Sequence, residues 1–170
     1  MNQNNYSDNY SESSQSQTDE LIRLLKDQAC RLLARREYSA FELRQKFAQL
    51  VPPPIRAQIL DDLLDNMLDD LMRRGMQSDA RFAEMLCRSR FNGGKGPVRL
   101  KHELNKHNIN PDLIERAMAV YQGQWAASAA QVRRRKFGDH APASYAEWAR
   151  QARFLQQRGF TAEQIESYGE

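Results

Sequence analysis

Residues 96–114 read Gly-Pro-Val-Arg-Leu-Lys-His-Glu-Leu-Asn-Lys-His-Asn-Ile-Asn-Pro-Asp-Leu-Ile, and this stretch decides the fold. Proline is favoured at the first position of a helix, because its missing N–H would have no helical partner there. We therefore predict that helices begin at Pro97 and Pro111. Leu100 and Leu104 are about one helical turn apart, so they share one face of the first helix. The stretch predicts two short helices joined by a tight turn.

The same kind of turn recurs later in the chain. Asn108-Ile109-Asn110 has a counterpart 51 residues further on, in Gly159-Phe160-Thr161. In both turns a large apolar residue precedes a residue that caps a helix N-terminus well. Capping boxes are predicted at three places, where a hydroxyl can accept from the N–H three residues on: Ser39 to Glu42, Ser144 to Glu147 and Thr161 to Gln164.

The spacing of apolar residues is helical from Asp19 onward, and about nine helices fall into three groups of three. We predict an all-α protein of three tandem three-helix repeats in an elongated, curved arrangement. The predicted repeats span 19–77, 78–122 and 123–170. Residues 1–18 are predicted to be a disordered polar tail, because they contain no aliphatic residue after Met1 and can bury little apolar surface.

Composition excludes several classes of protein. The 170-residue chain has a mean hydropathy of −0.79. It lacks the run of roughly 18 apolar residues that a membrane-spanning helix needs, and no secretory signal is visible. Cys30 and Cys87 are far apart in sequence and form neither a zinc motif nor a disulfide framework. We expect a cytoplasmic protein with reduced, buried thiols.

Charge is distributed unevenly along the chain. Residues 1–20 contain four acidic residues and no lysine or arginine, whereas residues 81–138 contain twelve basic and four acidic residues. A surface with this excess attracts phosphate backbones or an acidic protein partner. A basic helix face that is merely solvated is the alternative.

The motifs that suggest an enzyme are weak. Asp61-Asp-Leu-Leu-Asp65 resembles a Mg²⁺–diphosphate motif of prenyl-transferring enzymes, but no second acidic motif faces it and its aspartates alternate with an apolar stripe. His102, His107 and His140 lack the spacing of a metal site. No nucleophile stands in a recognisable setting. We therefore expect no catalytic residue, no metal and no cofactor.

The glycine-rich segment Gly93-Gly94-Lys95-Gly96 precedes a helix but does not match a nucleotide-binding loop. We expect the helix N-terminus at Pro97 to point its partial positive charge outward, towards an anion. The alternative is a flexible connector. The residues predicted to bind a partner or DNA are the basic side chains around this segment and those of a later run: Arg88, Arg90, Lys95, Arg99, Lys101, Arg133, Arg134, Arg135 and Lys136.

Five segments together resemble the RecX family, in order and spacing, over about residues 20–168. They are Leu32–Leu43, Gly75–Ala83 followed by Arg88-Ser-Arg90, the distinctive Gly96–Leu104, Arg135–Gly138, and Arg153–Phe160. The resemblance implies a cytoplasmic bacterial regulator of the RecA recombinase, built from three-helix repeats. Such proteins are not enzymes. They bind RecA and its filament on single-stranded DNA, and some contact DNA directly.

The resemblance further implies that the protein limits filament extension, ATPase, strand exchange and co-protease activity, and thereby modulates DNA repair, recombination and the SOS response. We expect it to act as a monomer. A sequence-independent basic DNA-binding protein that acts without RecA is the alternative.

The sequence departs from the family pattern at two places. Leu50-Val-Pro-Pro-Pro-Ile55 replaces the usual glycine–aromatic turn of the first repeat. Its three prolines favour an extended polyproline conformation before the next helix. Lys95 stands where an aromatic residue is common, which adds positive charge beside the glycine turn.

Overall fold

The computed structural model describes residues 5–51 and 53–166, with side chains described for residues 16, 18–51 and 61–166. This part of the chain contains nine helices and no strand, which confirms the all-α prediction. The helices are α1 Asn5–Leu33, α2 Ala40–Leu50, α3 Pro53–Arg73, α4 Asp79–Asn92, α5 Pro97–Lys106, α6 Pro111–Ala119, α7 Trp125–Phe137, α8 Tyr145–Gln157 and α9 Ala162–Glu166.

Two helix starts differ from the sequence-based expectation. Helix α1 begins at Asn5 and so runs through most of the segment that we predicted to be a disordered tail. Extending an existing helix adds one hydrogen bond per residue fixed, whereas starting a new helix is costly. Helix α3 begins at Pro53, so Pro53 and Pro54 lie in its first turn rather than in an extended segment. Proline is tolerated there because the first N–H groups of a helix have no helical partner.

The chain divides into two compact units, one ending at Ser78 and the other beginning at Asp79. The first unit contains α1 to α3 around its own core, in which Leu43, Phe47 and Leu64 are almost fully buried. Near the end of this unit, Gln77 donates from Nε2 to the carbonyl oxygen of Tyr38, at 3.1 Å, and so links the segment after α3 to the segment before α2.

Helices α4 to α9, the second and third predicted repeats, share the second unit and one hydrophobic core. Phe82, Leu100 and Leu104 from one repeat belong to the same buried cluster as Leu155 and Phe160 from the other. A short helix exposes a large apolar face when alone, so packing two three-helix groups together buries both faces.

The predicted caps form as local hydrogen bonds. The N–H of Glu42 donates to Ser39 Oγ at 3.1 Å, and that of Glu147 donates to Ser144 Oγ at 3.3 Å. The third box is reciprocal: the N–H of Gln164 donates to Thr161 Oγ1 at 3.3 Å, and the N–H of Thr161 donates to Gln164 Oε1 at 3.0 Å. Each bond satisfies a donor that the helix N-terminus leaves open.

The two related turns have the same backbone shape. Asn108 and Gly159 both have positive φ, 55° and 91°. The next residue of each turn donates its N–H to a carbonyl of the preceding helix, from Ile109 to Leu104 at 3.3 Å and from Phe160 to Leu155 at 3.2 Å. The sequence repeat is therefore a structural repeat.

The cysteine environments differ from each other. Cys30 is exposed, which corrects the expectation that both thiols are buried, whereas Cys87 is buried. Burial, together with the charge of Glu84, raises the pKa of the Cys87 thiol to about 11. The Cys87 side chain therefore packs as a small apolar group at neutral pH.

Two glycines hold the halves of the second unit together by backbone contact. The Gly96 N–H donates to the carbonyl of Arg158 at 2.8 Å, and the Val98 N–H donates to that of Gly159 at 3.0 Å. A Cβ added to Gly96 would lie 2.3 Å from Gly159 backbone atoms, and one added to Gly159 would lie 2.5 Å from the Cβ of Arg99. Only glycine permits this approach at both positions.

We predict that Gly159→Ala destabilises the second unit far more than Gly138→Ala. Both residues have φ near 90°, so each substitution carries a backbone cost of about 1–2 kcal/mol. Nothing lies within 4 Å of a Cβ at Gly138, so only Gly159→Ala adds a steric cost, of roughly 1–3 kcal/mol. Urea unfolding followed by tryptophan fluorescence measures both. Equal losses for the two variants would contradict the contact.

We predict that Leu64→Ala and Leu104→Ala each cost about 2–5 kcal/mol, because both side chains are fully buried. Trp125 and Trp148 both lie in the second unit. Leu104→Ala should therefore lower the midpoint of the fluorescence transition, whereas Leu64→Ala should act on the helical circular dichroism signal of the first unit. Leu24→Ala, at a side chain that is 57% exposed, is the control and should change little.

Candidate functional site

The predicted site begins at the turn between α4 and α5. Helix α4 ends at Asn92, and the chain turns at Gly94, where φ is +66°. A Cβ at Gly94 would lie 2.6 Å from a methyl carbon of Val132 on α7, so the turn packs directly on that helix. Arg158 at the end of α8 donates from Nη1 to the carbonyls of Gly93 and Gly94, at 3.4 and 3.2 Å.

The N-terminus of α5 corrects one expectation. We expected it to point its partial positive charge outward, towards an anion. The N–H groups of Gly96 and Val98 instead donate to the Arg158 and Gly159 carbonyls at the end of α8. These carbonyls occupy donors that an anion would otherwise use, so the cationic character of this region comes from side chains.

Four basic side chains collect around this junction and form what we call the glycine-turn cluster: Arg90, Lys95, Arg99 and Arg158, with the carboxylate of Glu103 among them. Arg90 and Arg99 both donate from Nε to the Glu103 carboxylate, the Arg99 bond measuring 3.2 Å. Four positive charges therefore share one negative charge.

The pKa values of the cluster report this imbalance. Burial alone would raise the pKa of Glu103, but hydrogen bonds from Arg90 and Arg99 outweigh it and leave the pKa lowered. Burial lowers the pKa of Lys95, and the charges of Arg99 and Arg158 lower it further. Crowded like charges disfavour the protonated lysine, so a nearby anion would relieve the repulsion.

The basic run on α7 divides into an inner and an outer part. Arg133 is buried, at 7% exposure, and donates from Nη1 to the carbonyl of His140 at 3.0 Å and to Gln151 Oε1 at 3.4 Å. Its placement removes Arg133 from the set of predicted binding residues. Arg134, Arg135 and Lys136 are exposed in the last turn of the helix.

One surface hollow lies between the glycine turn and the basic run of α7. Its lining comes from the glycine turn, from α7 and from α8: Asn92, Gly93, Gly94, Val132, Arg135, Lys136, Phe154 and Arg158. Arg135 also lines a neighbouring hollow, with Phe91, Ser128, Gln131 and Arg134 among its other residues. The structure therefore places Arg135 and Lys136 beside the glycine turn, with Arg134 in the neighbouring hollow.

None of the predicted residues before α7 lines either of these two hollows. Arg90, Lys95 and Arg99 belong to the glycine-turn cluster. Arg88 is exposed on α4, and Lys101 lines a different, more apolar hollow with Met118 and Trp125. The sequence reasoning missed Arg158 and Phe154. For Arg158 the available signal was its position beside Gly159, in the repeated turn.

The alternative enzymatic motif does not form a site in the structure. Arg44 bonds both Asp61 and Asp65, with its Nη2 2.8 Å from an oxygen of Asp61. In the part of the chain that the structure describes, no group of three or more histidine, cysteine, aspartate or glutamate side chains could hold a metal ion. None of the described helices is long and apolar enough to cross a membrane. Fold and surface define an all-helical repeat protein with a group of exposed cations in its second unit.

Comparison with known proteins identifies the family. The family models for RecX match the chain, with the second three-helix domain over residues 78–118 and the third over residues 122–168. Together they span more than half of the sequence. The chain belongs to the RecX family of regulatory proteins.

Relatives and solved structures agree with this assignment. The regulatory protein RecX of Halorhodospira halophila is 40% identical over 141 residues, 83% of each chain, and that of Pseudomonas entomophila is 37% identical over 134 residues, 79% of this chain and 82% of the other. A crystal structure of RecX from Lactobacillus salivarius superposes with a TM-score of 0.71 at 19% identity, covering 88% of this chain and 94% of that one. This likeness shows the same fold.

We predict that Arg133→Gln destabilises the protein, whereas Arg134→Gln does not. The first variant removes a buried donor from the His140 carbonyl and from Gln151, which costs roughly 1–3 kcal/mol. The second changes an exposed side chain, for which a change of about 0.5 kcal/mol or less is usual. Thermal unfolding followed by tryptophan fluorescence compares them. Equal midpoints would mean that the hydrogen bonds of Arg133 do not stabilise the protein.

Proposed function

We propose that the protein binds RecA and the RecA filament on single-stranded DNA in the cytoplasm, and restrains filament extension, ATPase, strand exchange and co-protease activity. Membership of the RecX family is the observation that carries this proposal. The consequence would be modulation of DNA repair, recombination and the SOS response. We expect a monomer that acts by binding, without catalysis or a cofactor.

The exposed cations of α7 and the glycine turn are the part of the surface best suited to this role. A nucleoprotein filament presents DNA phosphates, and carboxylates where the protein is acidic. Positive charge on a partner speeds its association with such a surface and makes the binding sensitive to salt. Arg134, Arg135 and Lys136 are exposed together, and the two hollows that they line contain no aspartate or glutamate among the described residues.

Repetition of the three-helix group offers a second advantage. Separate groups on one chain can each make a modest contact, and covalent linkage makes the later contacts intramolecular. Filament binding can then be strong although each contact is weak.

The second candidate function is sequence-independent DNA binding without RecA. The same carboxylate-free lining favours it, because phosphates need only positive charge. RecA ATPase on single-stranded DNA separates the two candidates. Inhibition at amounts of protein below that of RecA supports the proposal, whereas ordinary ATPase together with tight, steeply salt-dependent DNA binding supports the alternative.

We predict that replacing Arg134, Arg135 and Lys136 with glutamine weakens binding to the RecA filament by roughly tenfold or more, because three exposed charges of the surface are lost. Helicity should stay near normal. The measurement is inhibition of RecA ATPase as a function of protein concentration, repeated at several salt concentrations.

The matched control replaces Arg23, Arg31 and Arg35, which are exposed in the first unit, with glutamine. It removes the same net charge from another surface. An equal loss in both triple variants would show that net charge, and not the α7 surface, governs binding.

A further inference from the structure

The hollow between the glycine turn, α7 and α8 has features that filament binding by charge alone does not require. Its volume is about 350 Å³, within the range of about 300–1,000 Å³ typical of small-ligand pockets. Val132 and Phe154 form an apolar wall of the hollow, and Arg135, Lys136 and Arg158 give the hollow positive charge. A ligand that fits must therefore combine a flat or apolar part with negative charge.

At the edge of the apolar wall lie two planar groups, the Phe154 ring and the Arg158 guanidinium, which we call the planar pair. The guanidinium carbon of Arg158 lies 4.9 Å from the centroid of the Phe154 ring, and Phe137 meets that ring edge-on with centroids 5.3 Å apart. The hydrogen bonds from Arg158 to the Gly93 and Gly94 carbonyls fix the guanidinium in place. Aromatic rings and guanidinium planes are the surfaces on which unstacked nucleobases are bound.

The charges of the hollow are not neutralised from within. No aspartate or glutamate is among its described lining residues. The two more apolar hollows differ in this respect, because Asp27 lines one and Glu115 lines the other. Arg135 also borders the neighbouring hollow, which is lined by Phe91 and by polar side chains such as Gln131. An elongated ligand could therefore continue from one hollow into the next.

We propose that this hollow binds a nucleoside phosphate, with the base against Phe154 and Arg158 and the phosphate between Arg135 and Lys136. The proposal rests on the second candidate function, DNA binding without RecA, and deepens it by naming the residues that would hold a base and its phosphate. An acidic peptide would satisfy the charges but would leave the planar pair unused. Single-stranded DNA and free nucleotides both carry the required chemistry, and the test separates them.

The test measures binding of fluorescently labelled (dT)12 by anisotropy, with an abasic oligonucleotide of the same length as the second probe. The abasic strand keeps the phosphates but has no bases. We expect (dT)12 to bind more tightly. Phe154→Leu should weaken (dT)12 by roughly tenfold, the usual order for one stacked base, and should leave abasic binding unchanged. Unchanged abasic binding also shows that the variant is folded, and Phe154→Tyr should restore (dT)12 binding.

The charge variants provide the complementary measurement. Arg135→Gln combined with Lys136→Gln should weaken both probes, whereas Arg23→Gln combined with Arg31→Gln, the matched loss of charge in the first unit, should weaken neither. ADP and dTMP are then added as competitors. Competition that Phe154→Leu abolishes assigns the site to free nucleotides, and binding of (dT)12 without such competition assigns it to DNA.

Two results would overturn the proposal. In one, (dT)12 and the abasic strand bind equally and Phe154→Leu affects neither. In the other, a polyglutamate peptide displaces (dT)12 as well as unlabelled (dT)12 does, which would assign the surface to acidic protein. RecA is absent from all these measurements, so either result leaves the proposed regulation of RecA to be judged by the ATPase assay.

Discussion

The backbone contact between Gly96 and Gly159 is the constraint on which the second unit depends. The first turn of α5 donates two hydrogen bonds, of 2.8 and 3.0 Å, to carbonyls at the end of α8. Neither glycine can carry a side chain without overlap with the other segment. This contact brings Arg158 of the third repeat beside Lys95 and Arg99 of the second, so the packing that joins the repeats also concentrates their positive charge.

Concentrating like charges is unfavourable, and the structure offsets the repulsion in two ways. Glu103 accepts hydrogen bonds from Arg90 and Arg99, and the shared core and the backbone hydrogen bonds stabilise the junction independently of charge. Because Glu103 has a lowered pKa, it stays ionised well into the acidic range, and its stabilising effect is lost only as pH falls through that lowered value. Glu103 therefore keeps its stabilising effect on the junction at pH values around neutrality.

The helices and their caps could be predicted because they depend on residues close in sequence. Asn110 accepts from the Asp112 N–H at 2.9 Å, and the reciprocal box at Thr161 forms as its residue types indicate. The docking of α5 on α8 could not be predicted, since it joins residues more than 60 positions apart. The two turns illustrate the difference: both need positive φ, which asparagine tolerates at position 108, but at position 159 the approach of Arg99 excludes any Cβ.

Contacts between residues far apart in sequence also explain why the basic run was only partly understood from its sequence. Four consecutive basic residues point around most of a helix, so one of them must face inward when the helix packs on both α8 and α9. Arg133 is that residue, and its bond to the His140 carbonyl ties the segment after α7 to the helix. Around the glycine turn, Glu103 accepts hydrogen bonds from Arg90 and Arg99 and so offsets part of their positive charge, whereas no carboxylate is among the described residues that line the hollow beside Arg135 and Lys136. A ligand anion gains most where the protein supplies no anion of its own, so Arg135 and Lys136 are better placed to bind one than Arg90 and Arg99 are.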